Sequence, residues 1–199
     1  MKELIDDFID YWIKNKFDIY NEAGLQHELG YFLRVVKDIP VRFEYNIQRV
    51  VERKNCAFLK KEMDLYFEVE NQRNCIEIKF PNNGAYPRRM TQSLKDVYFL
   101  QQLINNGFKN GVFFFITDLA KFTKGDLTNG IYSYFRNHKD ISLFSPEDIP
   151  SFLIKTDEKV FYEVLKDQAI KLPPSTFINF KDLVVNDRQY FYFLLELEN

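Results

Sequence analysis

The residues of this chain whose types and spacing suit chemistry are Asp64 and the triplet Glu77-Ile78-Lys79. They lie in two apolar alternating runs within MDLYFEVENQRNCIEIKF, residues 63–80. A strand places alternate side chains on one face, so Glu77 and Lys79 project together while Ile76, Ile78 and Phe80 point the other way. Two acids and a lysine among residues that favour burial are costly unless a metal or a substrate satisfies them. Mg²⁺ takes hard oxygen ligands, keeps several waters, and needs one or two carboxylates beside a phosphate. Asp64 and Glu77 would supply those carboxylates and the Ile78 backbone carbonyl a further oxygen; Mn²⁺ could substitute. Without metal the acids repel one another and at least one pKa should rise. Lys79 would orient an attacking water and help its deprotonation or offset developing charge. The metal would lower the water's pKa and stabilise a pentacovalent phosphate. The chemistry this arrangement suggests is metal-dependent phosphodiester hydrolysis.

The triplet by itself proves little. Three acid-x-Lys triplets occur, Glu52–Lys54, Glu77–Lys79 and Asp157–Lys159, and the chain is 28% charged. The outer two stand in polar surroundings where solvated turns explain them. Alone, Glu77–Lys79 reads first as a cross-strand salt bridge on a solvated sheet face. Its apolar surroundings and the matching acid on the preceding strand argue otherwise. Parity is the further condition. An even-numbered hairpin loop pairs even positions with odd ones, placing Asp64 on the face of Glu77 and Lys79, whereas an odd-numbered loop places it opposite.

The elements that must position these residues follow from periodicity. Leu4, Ile5, Phe8, Ile9, Trp12 and Ile13 predict a first helix over 2–16. Asn21 is an N-cap candidate for a second helix reaching about Val36, with Leu25, Leu29, Phe32, Leu33 and Val36 as its inward stripe. Glu22 falls in line with that stripe, Gln26 sits beside it, and Glu28 lies on its flank. Alternation predicts a strand over 41–51, then the two runs of the hairpin separated by Glu70–Asn74. Pro87 suits the start of a helix whose inward side is Met90, Leu94, Val97, Tyr98, Gln101 and Ile104. Gly111–Asp118 is nearly continuous in apolar residues and predicts a strand buried on both faces. Strands are also expected at Lys159–Leu165, Thr176–Phe180 and Tyr190–Leu197, extending or capping the same sheet. This order predicts an α/β fold with a mixed sheet and helices on its faces.

With 199 residues and 46% hydrophobic content, the chain suits one well-filled domain over 1–199. No apolar run is long enough to span a bilayer, and the acidic MKELIDDFIDYW start does not resemble a secretory leader. A cytoplasmic protein without membrane association is expected, with Cys56 and Cys75 reduced. A net charge of −2 does not advertise nucleic-acid binding, so such binding needs a local patch. His27 and His138 are the sole histidines, which disfavours histidine-based hydrolases.

The order of an acid-bearing helix (Asn21-Glu-Ala-Gly-Leu-Gln-His-Glu28), a strand, Asp64, Glu77-Ile-Lys79 and a helix resembles the PD-(D/E)XK nuclease superfamily. The continuation Phe80-Pro-Asn-Asn-Gly-Ala-Tyr-Pro87, with Met90, Lys95-Asp96 and Phe99-Leu100, is similar to bacterial members of it. The likeness covers about 20–117, leaving 118–199 as a β-rich extension. It implies a restriction-endonuclease-like mixed central β-sheet flanked by helices. It also implies Mg²⁺ at Asp64 and Glu77, Lys79 as catalytic lysine, and a helix glutamate assisting at the metal, Glu22 before Glu28. Met63 stands where the motif has its proline. Arg88 and Arg89, beside Lys79 at a helix start, are candidates for phosphate contact, as are Lys60 and Lys61. The implied function is a DNA endonuclease, with a homodimer reasonable if both strands are cut. The alternative is a weakly active or non-catalytic nuclease-fold protein serving as a binding or scaffold subunit. The aromatics Phe161, Tyr162 and Tyr190–Phe193 could stack on bases, but their apolar runs favour core packing.

Overall fold

A computed structural model of the chain describes residues 1–51, 58–156 and 158–199. Cys56, the Glu52–Lys54 triplet and Asp157 lie outside the described residues.

Helix α1, Lys2–Asn15, buries Ile5, Phe8, Ile9 and Trp12, a stripe at three- and four-residue spacing. Asn21 caps α2, Glu22–Tyr31, its Oδ1 accepting from the Gly24 N–H at 2.7 Å. The helix then widens into a π-helical turn, Phe32–Val36. Leu25, Leu29, Phe32 and Leu33 are buried as the stripe predicts, but Val36 is 46% exposed. The extra residue in the wide turn rotates it off the stripe.

Strand β1 is Val41–Asn46. The strand expected to reach Val51 stops here because the Asn46 side chain caps a 3₁₀ turn, Ile47–Arg49. Strands β2, Glu62–Val69, and β3, Gln72–Lys79, form an antiparallel hairpin. Its last pair is Val69–Gln72, so the turn is Glu70-Asn71 and not the longer segment expected over 70–74. Both turn residues have positive φ, 52° and 64°, which matches the twist of paired strands. A two-residue turn is even-numbered.

Helix α3, Tyr86–Ile104, carries Pro87 in its first turn and buries all six residues expected on its inward side. Gly107, at φ 82°, closes the helix, and Arg73 donates to the carbonyls of Asn106 and Gly107 at 3.3 and 3.1 Å. Strand β4, Asn110–Thr117, is buried throughout except at its first residue. It pairs with β3 in parallel, a geometry that requires a crossover, here α3.

Residues 118–176 are not β-rich. Their described part consists of 3₁₀ turns and three helices: α4, Ser133–Arg136; α5, Ser151–Ile154; and α6, Lys159–Asp167. The strand expected at Lys159–Leu165 is thus a helix. Phe161 and Leu165, four apart, are buried while Val160 is 67% exposed, which is the helical period. Strands β5, Phe177–Val185, and β6, Arg188–Glu198, extend the sheet as expected. β5 runs past Phe180 because Leu183 and Val185 turn inward between exposed Lys181, Asp182 and Val184.

The protein is α/β, a six-stranded mixed sheet of order β1-β2-β3-β4-β6-β5 with helices on both faces. One face packs Leu65, Phe67, Ile76, Ile78, Val112, Phe114 and Ile116 against α1 and α2. The other packs Tyr66, Cys75, Phe113 and Phe115 against α3 and the 120–170 segment. Among the described residues no helix is long and apolar enough to cross a membrane. Phe161 and Tyr190–Phe193 are buried in these two layers, and Tyr162 is packed against one of them.

Candidate active site

The β2–β3 backbone ladder reaches only as far as Leu65–Ile76. Just beyond it stand Asp64 and Glu77, and each acid bonds the other strand's backbone. Asp64 Oδ2 accepts from the Ile78 N–H at 2.7 Å, and Glu77 Oε1 accepts from the Asp64 N–H at 3.4 Å. The even-numbered turn sets this register. β1 is distorted at the same level: Glu44, flanked by the Phe43–Leu65 and Tyr45–Met63 pairs, has φ 45°. From α2, Gln26 donates to both Glu44 Oε1 and the Asp64 carbonyl at 2.8 Å. Helix and strands are therefore tied where the acids sit.

Glu22, in the first turn of α2, reaches over the end of β3. Its Oε2 accepts from the Phe80 N–H at 3.1 Å and its Oε1 lies 3.2 Å from Lys79 Nζ. Lys79 Nζ also donates to the Ile78 carbonyl at 3.1 Å and lies 3.1 Å from Asp96 Oδ2. The structure thus brings together Glu22, Asp64, Glu77 and Lys79. Glu28 is not among them; it sits 3.3 Å from His27 on the outer flank of α2.

Two further residues join the cluster. Asp96, on the inward side of α3, is 4% exposed. It follows Gln92 by one helical turn and adjoins the apolar stripe at Leu94 and Val97, a placement that could have marked it as inward. Lys60, just before β2, was expected to face nucleic acid. Instead its ammonium bonds Glu77 and lies 3.2 Å from Asp96 Oδ1 and 3.6 Å from Asp64 Oδ1. Three carboxylates draw it in, Glu77 and Asp96 buried and Asp64 partly so, and the ammonium also lies 5.5 Å from the centre of the Phe99 ring. Lys61 and Arg88 are exposed, whereas Arg89 is partly buried and donates to Gln92 Oε1 at 3.2 Å.

Burial dominates the electrostatics. Glu77 is fully buried, which with the neighbouring Asp64 charge pushes its carboxyl up to about 8. Burial raises Asp64 as well, against the pull of Lys60 and Lys79. Desolvation opposes the Lys60 charge, but Glu77, Asp96 and Asp64 outweigh it and hold the ammonium protonated far beyond its ordinary range. Lys79 is likewise raised despite burial, by Asp96 and Glu22. Cys75, a free buried thiol, points its Sγ at Glu77 Oε1 at 3.7 Å and is raised by the same desolvation.

The donor set is the hard-oxygen kind that suits Mg²⁺ or Mn²⁺. Asp96 Oδ2 is buried, ion-paired with Lys79 but without a hydrogen bond of acceptable geometry. Among the described residues no group of three His, Cys, Asp or Glu side chains is arranged to hold a metal ion as placed. The space between Asp64, Glu77 and Asp96 is where Lys60 places its ammonium. Comparison with known protein families, with curated proteins and with solved structures found no match for this chain.

Proposed function

We propose that this protein is a Mg²⁺-dependent nuclease, hydrolysing phosphodiester bonds of DNA on a restriction-endonuclease-like framework. The observation that carries the reading is the meeting of Asp64, Glu77 and Lys79 at the point where β2 and β3 part, with Glu22 reaching in from a helix. Asp64 and Glu77 would hold the ion, with the Ile78 carbonyl as a further oxygen. When bound, the metal supplies Lewis acidity and a water of lowered pKa.

The chain's own residues do the rest. Glu22 and Asp96 grip Lys79 from two sides, so its ammonium is aimed without freedom to swing. Held protonated, Lys79 offsets charge building on the phosphate and orients the attacking water; it is not the proton acceptor. Glu22, the most exposed of these acids at 44% of its side chain, marks the side from which substrate arrives. Exposed Lys61 and Arg88 would meet the phosphate backbone.

Purified protein incubated with single- and double-stranded DNA and Mg²⁺ tests this directly. Asp64→Asn should abolish cleavage, and Lys79→Ala should slow it on the order of 10²–10⁴-fold. Equal cleavage by wild type and both variants would sink the assignment. The Lys60 ammonium among the carboxylates favours a second reading, a nuclease-fold protein that binds nucleic acid without cutting it. Retained DNA binding with no cleavage at any Mg²⁺ or Mn²⁺ concentration would select it.

A further inference from the structure

Asp64, Glu77 and Asp96 converge on a single cation, the Lys60 ammonium, from three different elements. The acids are rigidly mounted. Asp64 and Glu77 are tied to opposite strands by backbone hydrogen bonds, and Asp96 projects from the buried side of α3. The cation is not. Lys60 lies before β2, outside the sheet ladder, on a four-carbon stem whose side chain is 22% exposed. Among the described residues, Asp64, Glu77 and Asp96 share the one Lys60 ammonium, and Lys79 adds a second charge only at Asp96. Asp96 bridges the two lysines, Oδ1 toward Lys60 and Oδ2 toward Lys79, and its buried Oδ2 has that ion pair but no hydrogen bond.

A rigid cage of hard oxygens around a tethered, partly exposed ammonium is a site built for cation exchange. We propose that Asp96 is a third carboxylate of the metal site, and that Lys60 is its resident cation, displaced outward when a divalent ion enters. This rests on the metal-dependent reading above and adds both a ligand and a means of control. Lys60 offsets part of the cage's charge when metal is scarce, so the apparent affinity is the difference between binding a divalent ion and binding Lys60.

Isothermal titration of Mg²⁺ and Mn²⁺ into the protein, without DNA, tests the exchange. Lys60→Met, which keeps the stem and removes the charge, should bind either ion ~10-fold or more tightly than wild type. Asp96→Asn should weaken binding at least ~10-fold. Because Lys60→Met leaves Asp64 and Glu77 without their ammonium partner and could fail to fold without metal, the wild-type chain supplies an independent readout. Lysine acylation followed by mass spectrometry should find Lys60 protected in EDTA and several-fold more reactive once Mg²⁺ saturates. Lys60 reactivity unchanged by metal, or equal affinities for wild type and Lys60→Met, would overturn the displacement. Unaltered affinity in Asp96→Asn would remove Asp96 from the site. If Asp64→Asn and Glu77→Gln abolish binding while these two variants leave it unchanged, the exchange fails and the nuclease reading stands. If wild type and Lys60→Met both bind no metal, the two fall together.

Discussion

Glu77 is a fully buried carboxyl within a sheet, beside a second acid and opposed by one ammonium. Its folded pKa of about 8 against an ordinary 4.5 has a consequence for stability. The folded protein holds this proton where the unfolded chain has already released it. Stability from this group is therefore complete below about pH 4.5 and is lost as pH rises toward 8. In EDTA, the melting temperature should fall across that window, and Glu77→Gln should flatten the fall. Saturating Mg²⁺ should oppose it, because a bound cation favours the ionised carboxylate. A melting temperature in EDTA that rises steadily from pH 5 to 8 would contradict this placement of Glu77.

Among the elements, the β2–β3 hairpin does the positioning, and its turn sets which face Asp64 occupies. Glu70 adopts φ 52°, which a side chain with a Cβ tolerates poorly and Asn tolerates best after Gly. Glu70→Asn should stabilise the protein by ~1 kcal/mol and raise its melting temperature by ~2–4 °C. Metal affinity should be unchanged, since the register is kept; a drop in stability would argue against the two-residue turn. The periodicity of 63–80 contained the strands and the shared face of Glu77 and Lys79, but not the turn length. Glu70–Asn74 is polar throughout, and only the pairing of Val69 with Gln72 shows where the strand resumes. α6 misled for a related reason: β-branched and aromatic residues suit strands, yet the Phe161–Leu165 spacing serves a helix against the core.

For the whole molecule, the sheet is a wall between two apolar layers, and β4 is one of its two central strands. Phe113 and Phe115 face α3 while Val112, Phe114 and Ile116 face α1 and α2. Phe114→Ala should cost ~3–5 kcal/mol, a large part of the ~5–15 kcal/mol that holds a domain folded. Its denaturation midpoint should fall sharply, and a change under ~1 kcal/mol would show that this layer is not packed as described. Helix α2 approaches just as closely at Gly30, where an added Cβ would lie 2.1 Å from the Phe43 ring. That close contact sets the helix that carries Glu22 and Gln26 firmly against β1.

By itself the sequence determined the secondary elements that carry Glu22, Asp64, Glu77 and Lys79, and the inward stripe of α3. These depend on periods of two and 3.6 residues, which are properties of neighbouring positions in the chain. Only the tertiary structure decided that Lys60 turns inward and that Asp96 completes the ring of acids. A lysine in a polar run defaults to solvent, and although Asp96 adjoins the inward stripe of α3, an acid on a helix defaults to solvent as well. What brings them together is the fold, which gathers three carboxylates, two of them buried, at the parted end of β2 and β3 and leaves a tethered ammonium to offset part of their charge.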